Sequence, residues 1–304
     1  YIWQRAELGY IFSVKRYFHK KVPRINNIRE SVISMCEKQS TLRTARIKDI
    51  AERLFKAETT KQPIAPIHDE FPDLTLEEAY AVQMAAAENK LASGWKIVGK
   101  KVGLTNKEVQ KQRGILEPDY GHIFDHNIIP EGDPISIASL MVHPVIEVEL
   151  AFVMRRDLIG PGVTVAKAYH AVEGILPAFE IVERRMYPLS KTIEESVCDN
   201  AACGKIVLGS KLTPIENLNL KSIGVYLEKN GSLIDSACCA TVLGTPIMSV
   251  AWLANKLAQF GVGLYEGEVI MTGSICLMHP IAPGENYHAV FSDNIGDLMV
   301  SFVS

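Results

Sequence analysis

The stretch that most constrains the fold of this chain is His143–Met154, which reads HPVIEVELAFVM. Apart from its two acids it is an almost unbroken run of aliphatic and β-branched residues, which is typical of a strand covered on both faces. Because residues two apart in a strand point to the same side, Glu147 and Glu149 project together from one face. Burying two like charges costs several kcal/mol, so the sequence predicts a positive partner, either a cluster of basic side chains or a metal ion.

A third acid, Glu180, interrupts a second apolar run, GILPAFEIVERR, with Ala178 and Val182 beside it on the same strand face. Three carboxylates would fill three of about six oxygen positions around Mg²⁺ or Mn²⁺. A 2-oxo acid fits two of the remaining positions, and the cation would stabilise charge on the oxo oxygen during enolisation. An ion-pair network that uses Arg184 and Arg185 is the alternative explanation of these acids.

Enolisation also requires proton carriers. Lys101, in GKKVGLTN, lies beside a short apolar strand, where partial desolvation would lower its pKa enough for proton exchange. The PDYG segment at 118–121 is typical of a turn, in which Asp119 either bonds its own backbone or faces a cleft. The small residues of DNAACG at 199–204 predict a turn that enters a strand.

Composition narrows the classes of function. The 304-residue chain has a formal net charge of -3, with 47% hydrophobic and 22% charged residues, so no overall charge favours nucleic acid or an anionic membrane. No apolar run approaches the roughly 18 to 20 residues of a membrane helix. The six cysteines lack C-x-x-C spacing, which argues against a zinc site or a secreted disulfide framework. We therefore expect a soluble, cytoplasmic protein with a small-molecule partner.

The order of predicted elements indicates an α+β fold. Thr75 and Glu78 have the form of a capping box that begins a helix running toward Leu91. An earlier helix face is predicted by apolar residues at helical spacing: Ile47, Ile50, Ala51, Leu54 and Phe55. Strands are expected at 97–104, 143–154, 175–184, 205–209, 222–229, 267–274, 286–291 and 297–303, with helices at about 164–173 and 247–260. Helices followed mainly by strands favour a mixed-β core over a doubly wound sheet.

Three segments are expected along the chain: an N-terminal extension at 1–42, a helical part at 43–95 and a mixed-β catalytic core at 96–304. The beginning of the chain is rich in basic and aromatic residues and poor in acids. This composition fits either an organelle-targeting segment or an extension upstream of the folded part, and both alternatives stay open.

Several segments together resemble the 2-hydroxypenta-2,4-dienoate (2-oxopent-4-enoate) hydratases of the fumarylacetoacetate hydrolase superfamily. In chain order these segments are KVGLTN, EPDYGHIFD, HPVIEVELAF, PAFEIVERR, DNAACGKIVLG, GTPIMSVAWLANKLAQFG and GEVIMTGS. The likeness runs from about residue 43 to the C-terminus. It departs from the family pattern at Glu183-Arg184-Arg185, where many members carry Asp-Ser-Arg, and this difference bears on substrate preference.

The resemblance implies a mixed-β core, a Mg²⁺ or Mn²⁺ site and a place in the meta-cleavage degradation of aromatic compounds. It implies that Glu147, Glu149 and Glu180 bind the metal and that Lys101 and Asp119 form the acid/base pair. Asn200 and Ser274, in the DNA and TGS turns, are implied as substrate contacts or their neighbours. The implied partners are a 2-hydroxydienoate or 2-oxo acid substrate, further copies of the chain, and a family decarboxylase or downstream aldolase.

Four alternative functions stay open from the sequence. They are a 4-oxalocrotonate (2-oxo-3-hexenedioate) decarboxylase, a seven-carbon diacid hydratase, an acylpyruvate hydrolase and a non-catalytic partner of a decarboxylase. Asp119 favours a hydratase over the decarboxylase. No convincing His/Glu pair for water activation lies between Lys101 and His126, which argues against the hydrolase.

Overall fold

The computed structural model describes residues 23–189 and 192–304, with side-chain surroundings from residue 41 onward. The chain divides into two compact units, Tyr1–Arg46 and Ile47–Ser304, and the fold given below is that of the second unit. Of the predicted extension at 1–42, residues 1–22 lie outside the described residues, and residues 23–42 belong to the first helix. No helix in the described ranges is long and apolar enough to cross a membrane.

Seven α-helices occur in the described part of the chain. They are α1 (Pro23–Thr60), α2 (Ile67–Glu70), α3 (Leu76–Ala92), α4 (Lys107–Arg113), α5 (Val165–Ala171), α6 (Ile193–Cys198) and α7 (Ile247–Ala258). The predicted capping box is confirmed at the start of α3, because Glu78 N donates to Thr75 Oγ1 and Thr75 N donates to Glu78 Oε2. Ile50, Ala51 and Leu54 are buried, as their helical spacing predicts.

The strands form two sheets. They are β1 (Ile97–Gly103), β2 (Asp119–Phe124), β3 (Ile128–Ile129), β4 (Ile135–Ser136), β5 (Val145–Met154), β6 (Val172–Val182), β7 (Lys205–Leu208), β8 (Gly224–Lys229), β9 (Ser232–Cys238), β10 (Val269–Met271), β11 (His279–Pro280), β12 (Asn286–Phe291) and β13 (Gly296–Val303). The larger sheet has the order β2-β1-β10-β5-β6-β7-β3, with β11 also paired to β5. The smaller sheet has the order β4-β13-β12-β8-β9. The α+β class with a mixed-β core is confirmed.

The antiparallel pair β5–β6 determines where the acids lie. Ile146, Val148, Leu150 and Phe152 alternate along β5 and are buried in the main apolar core. The residues between them point the other way, where Ala151 joins a smaller apolar cluster with Ala178 of β6. Glu147 and Glu149 share this second face with Ala151. The acids therefore lie on the face of the larger sheet that is opposite the main apolar core.

The sequence predictions about local structure are wrong at the PDYG segment and incomplete at β9. The PDYG segment is not a turn, because Asp119 begins strand β2, which is buried throughout and pairs antiparallel with β1. Long-range pairing with β1 overrides the local turn propensity of the Pro-Asp sequence. Strand β9 was not expected, since its side chains are mostly exposed and lack a clear alternation. The helix expected at about 164–173 is confirmed as α5, with Thr164 as its N-cap, but it ends at Ala171 because β6 begins at Val172.

Candidate metal centre and its surroundings

Glu147, Glu149 and Glu180 form one cluster of carboxylates. Glu147 of β5 is paired in register with Glu180 of β6, while Glu149 is paired with Ala178, whose small side chain leaves space. One oxygen from each carboxylate lies within 4.8 Å of the others. Among the described residues this is the one group of three or more potential metal ligands.

The cluster is buried, and several of its carboxylate oxygens have no hydrogen-bond partner. Glu149 and Glu180 are fully buried, and Glu147 is partly exposed. Gly273 N donates to Glu149 Oε2 at 2.8 Å, but Glu149 Oε1 and Glu180 Oε1 have no hydrogen-bond partner. Buried polar atoms are ordinarily paired, so these oxygens indicate a missing partner. Carboxylate oxygens are the ligands that hard divalent cations prefer, and the residues therefore fit a cation such as Mg²⁺.

Burial makes the three negative charges costly. Burial, with the charge of Glu147 adding to it, raises the pKa of Glu180 to about 7. Burial also raises the pKa of Glu149 well above its ordinary value, and the charges of Glu180 and Glu147 raise it further. The pKa of Glu147 is raised by burial as well, although the charge of Lys101 counteracts this. The positive charge of a bound cation would counteract all three shifts.

The alternative explanation, an ion-pair network with Arg184 and Arg185, does not match the geometry. Arg185 pairs with Asp199 and donates to the backbone oxygen of Cys203 at 2.7 Å. Within the described residues, the Arg184 guanidinium has no carboxylate oxygen within 4.0 Å, and its Nη2 lies 4.0 Å from Met278 Sδ. Neither arginine therefore encloses the acidic cluster.

Lys101 is the basic residue that contacts the cluster. Its Nζ lies 3.2 Å from Glu180 Oε2 and donates to the backbone oxygen of Ala201 at 2.8 Å. The sequence prediction of a lowered pKa is wrong. Burial does lower the pKa of Lys101, but the charges of Glu180, Glu147 and Asp119 together hold it above its ordinary value. Lys101 is therefore charged as the protein stands.

Asp119 lies next to Lys101 at the edge of the site. Ser196 Oγ of α6 donates to Asp119 Oδ2 at 2.8 Å, and Asp119 Oδ1 is buried without a hydrogen-bond partner. A Cβ atom at Gly103 would lie 2.2 Å from Asp119 Oδ1 and 3.6 Å from Lys101 Nζ. The carboxylate and the ammonium group therefore both lie close to this glycine. Burial raises the pKa of Asp119, with Lys101 and Ser196 counteracting the shift. Neither Ser196 nor Gly103 was singled out by the sequence.

The turn at Asp199-Asn200-Ala201 supports the surroundings of Lys101 through its backbone. Asn200, Ala201 and Ala202 all have positive φ angles of 51° to 57°, a conformation that costs roughly 1 to 2 kcal/mol for each non-glycine residue. Asn200 Oδ1 accepts from His122 N at 2.7 Å and its Nδ2 donates to His122 O at 2.8 Å. The turn thereby presents the Ala201 oxygen to Lys101, and the Asn200 amide is engaged by β2. A direct contact between Asn200 and a substrate stays a prediction.

Ser274 follows the residue that contacts Glu149. Gly273 has a φ of +104°, and its N–H reaches the Glu149 carboxylate. Ser274 Oγ donates to the backbone oxygen of Cys276 at 2.8 Å, which stabilises the loop after β10. The structure thus brings Ser274 beside the cluster, and its contact with a substrate stays a prediction.

Comparisons with known proteins agree with this geometry. Residues 92–300 match the family model described as fumarylacetoacetate (FAA) hydrolase C-terminal. The chain is 36% identical over 216 residues to a 2-hydroxypent-2,4-dienoate hydratase of Pseudomonas putida, covering 71% of this chain and 97% of that protein. It is 35% identical over 260 residues to a 2-oxo-hept-4-ene-1,7-dioate hydratase of Escherichia coli, covering 84% and 97%.

A solved structure has the same fold over most of the chain. It is the 4-oxalocrotonate decarboxylase from Pseudomonas putida G7, complexed with magnesium and adipate. The TM-score is 0.82 with 33% sequence identity, and the match covers 86% of this chain and 98% of the decarboxylase.

Proposed function

The chain belongs to the fumarylacetoacetate hydrolase family, and from its acidic cluster we propose that it is a metal-dependent hydro-lyase that hydrates 2-hydroxypenta-2,4-dienoate. The product is 4-hydroxy-2-oxopentanoate, and the five-carbon dienoate is the shortest substrate with the required 2-hydroxy-2,4-diene end. The observation that carries the proposal is the meeting of three buried carboxylates with Lys101 and Asp119.

Glu147, Glu149 and Glu180 would hold one divalent cation, Mg²⁺ or Mn²⁺. When bound, the cation would supply positive charge beside the 2-oxygen of the substrate, which favours loss of the 2-hydroxyl proton and makes the conjugated 2-oxo acid more reactive toward water. Glu149 is already oriented for this role by the Gly273 N–H, and Glu180 by the Lys101 ammonium group. The protein thus provides a preorganised site in which little reorganisation is needed.

Lys101 and Asp119 would move the protons. The reaction removes the proton of the 2-hydroxyl group and adds one at C5, and water then adds its oxygen to C4 and a proton to C3. Asp119 Oδ1 has no hydrogen-bond partner and can accept a proton, while the ammonium group of Lys101 beside Glu180 can donate one. Ser196 holds the other Asp119 oxygen, and Oδ1 lies beside Gly103, close to Lys101 Nζ.

A second candidate is decarboxylation of 4-oxalocrotonate, a six-carbon diacid. The observation that favours it is the likeness to a solved decarboxylase that binds magnesium together with adipate, itself a six-carbon diacid. Both reactions begin with a 2-oxo or 2-hydroxy acid, so the acidic cluster serves either one equally. The buried acid at Asp119 favours hydration, since addition of water needs a second proton carrier.

One assay separates the two candidates. The purified protein with Mg²⁺ is incubated with the five-carbon dienol, the six-carbon diacid and the seven-carbon diacid, and dienol absorbance and released CO₂ are followed. Loss of dienol absorbance without CO₂ is the expected result. Release of CO₂ from the six-carbon diacid, with no hydration of either other substrate, would establish the decarboxylase instead, and absence of any turnover would contradict both.

A further inference from the structure

The ammonium group of Lys101 is held at two points. Its Nζ lies 3.2 Å from Glu180 Oε2 and donates to the backbone oxygen of Ala201 at 2.8 Å. A lysine ammonium group has three N–H donors, and with one of them bonded the other two still rotate about that bond. Two bonded donors fix the direction of the third. The Ala201 oxygen therefore decides where the remaining donor of Lys101 points.

Ala201 lies at the centre of a turn with an unfavourable backbone conformation. The φ angles of Asn200, Ala201 and Ala202 are 54°, 51° and 57°. Residues with a Cβ atom are disfavoured in this left-handed region, so three in succession persist only where the surroundings hold them. The bonds within the turn, from Ala202 N to Asp199 O and from Cys203 N to Asn200 O, leave the Ala201 oxygen to Lys101. Contacts from outside the turn must therefore stabilise it.

Arg185 provides such contacts at both ends of the turn. Its Nη1 donates to the backbone oxygen of Cys203 at 2.7 Å, while its Nε and Nη2 donate to Asp199 Oδ1 and to the backbone oxygen of Asp199. The backbone N–H of Arg185 donates to Asp199 Oδ2 at 3.0 Å. The side chain is buried, so water does not compete for these bonds. One planar guanidinium thus fixes the distance between the residue before the turn and the residue after it.

Strand β2 encloses the turn on its other side. The Asn200 side chain accepts from His122 N at 2.7 Å and donates to His122 O at 2.8 Å. A Cβ atom at Gly121 would lie 2.2 Å from the backbone oxygen of Asn200, so the turn packs directly against the backbone of β2. The turn is therefore held between β2 and the Arg185 guanidinium.

We infer that Arg185 is a positioning residue for the reaction, which holds the Asn200–Ala202 turn in its left-handed form so that the Ala201 oxygen directs the Lys101 ammonium group toward the substrate. This inference rests on the proposed function, because it assigns Lys101 the role of proton donor. Arg185 acts through the turn, since among the described residues its ion pair is with Asp199 and not with the three glutamates.

The first test is Arg185→Lys, which keeps the positive charge beside Asp199 but loses the planar fork that reaches Cys203 as well. We expect kcat on the five-carbon dienol to fall by about 10- to 100-fold, as displacement of a proton carrier produces. KM, and the Mg²⁺ affinity measured by calorimetry, should stay within about threefold of wild type because the carboxylates are unchanged. Arg155→Lys is the matched control, since Arg155 also donates to a backbone oxygen, that of Val172, at the opposite end of β6.

A double-mutant cycle shows whether Arg185 acts through Lys101. In the Lys101→Ala background the ammonium group is missing, so adding Arg185→Lys should change kcat by less than about twofold. A further loss of about 10- to 100-fold in that background would mean that the two residues act independently. That result would overturn the inference.

A glycine in the turn tests the conformational part of the inference. Glycine adopts positive φ angles without strain, so Ala202→Gly makes the turn less dependent on Arg185. The double variant Arg185→Lys/Ala202→Gly is expected to recover kcat to within about threefold of wild type. Ala166→Gly, at an exposed position of α5, is the control and should restore nothing. Absence of recovery with Ala202→Gly would show that Arg185 does not act through the shape of the turn.

Circular dichroism separates this role from a general effect on stability. All rates are measured well below the unfolding midpoint of each variant, and a lower midpoint with unchanged kcat would overturn the inference. If Arg185→Lys does not fold, Arg185→Gln combined with Asp199→Asn replaces it, because this pair removes both buried charges together.

The outcomes distinguish the inference from the proposed function. If wild type hydrates the dienol and the Arg185 variants keep its kcat, the inference is wrong while the proposed function stands. If wild type does not hydrate the dienol, the proposed function is wrong and the inference is wrong with it.

Discussion

Glu147 and Glu180 face each other in register across the β5–β6 pair, on the same face of the larger sheet. Directly opposed like charges destabilise a pair of strands, and here Glu149 adds a third charge within 4.8 Å. Lys101 alone among the basic residues described makes an ion pair with the cluster. One lysine balances one of the three carboxylate charges. A divalent cation would balance the other two.

Glu149→Gln should abolish measurable Mg²⁺ binding in calorimetry. The substitution keeps the size of the side chain but removes one of three anionic ligands from a buried site. Glu173→Gln is the matched control, because Glu173 is exposed on β6 and should leave binding unchanged. Full Mg²⁺ affinity in Glu149→Gln would show that the cluster is not the metal site.

The stability of the metal-free protein should fall as pH rises from about 5 to 8. The native pKa of Glu180 is about 7 against an ordinary value of 4.5, so between these values the native state holds a proton that the unfolded chain has lost. The free energy of unfolding therefore decreases over this window by up to about 3 kcal/mol from this group.

Urea unfolding in the presence of a chelator measures this effect. Glu180→Gln cannot ionise and should show a flatter dependence of the free energy of unfolding on pH than wild type. Saturating Mg²⁺ should restore the stability of wild type at pH 8, since a ligand that binds the native state stabilises it. Equal pH dependence of wild type and Glu180→Gln would contradict the raised pKa.

Lys101→Ala should lower turnover by about 10² to 10⁴, the usual contribution of a positioned proton carrier. The same variant should retain Mg²⁺ binding, because all three carboxylates remain. Steady-state kinetics on the dienol, with calorimetry of Mg²⁺ as the second measurement, check both parts. Lys107→Ala, an exposed lysine on α4, is the control, and an unchanged rate in Lys101→Ala would remove Lys101 from the mechanism.

Gly103→Ala should impair turnover through Asp119 without removing the metal site. The new Cβ would lie 2.2 Å from Asp119 Oδ1, so the carboxylate must move from its present position beside Gly103. We expect a loss of about 10²-fold in kcat, the lower end for a misplaced proton carrier. Gly224→Ala is the matched control, because its Cβ would meet no atom closer than 3.9 Å. Activity within about threefold of wild type in Gly103→Ala would mean that the position of Asp119 is not critical.

The acidic cluster on β5 could be predicted from the sequence because strand geometry depends on neighbouring residues alone. The two-residue period places Glu147 and Glu149 on one face whatever the rest of the chain does, and the apolar residues around them signal burial. The capping box of α3 and the main strands follow from equally local rules. The same local rules failed at Asp119, where turn propensity predicted a loop and pairing with β1 produced a strand.

The features of the site that could not be predicted from the sequence depend on contacts between segments that are distant in the chain. The register that sets Glu147 against Glu180, the hydrogen bond from Ser196 to Asp119 and the ion pair of Lys101 with Glu180 all join residues far apart in sequence. The pKa of Lys101 shows the same point, since burial and three carboxylates act in opposite directions and their balance depends on distances. Periodicity along a strand is a property of neighbouring residues, whereas electrostatic balance is a property of the packed fold.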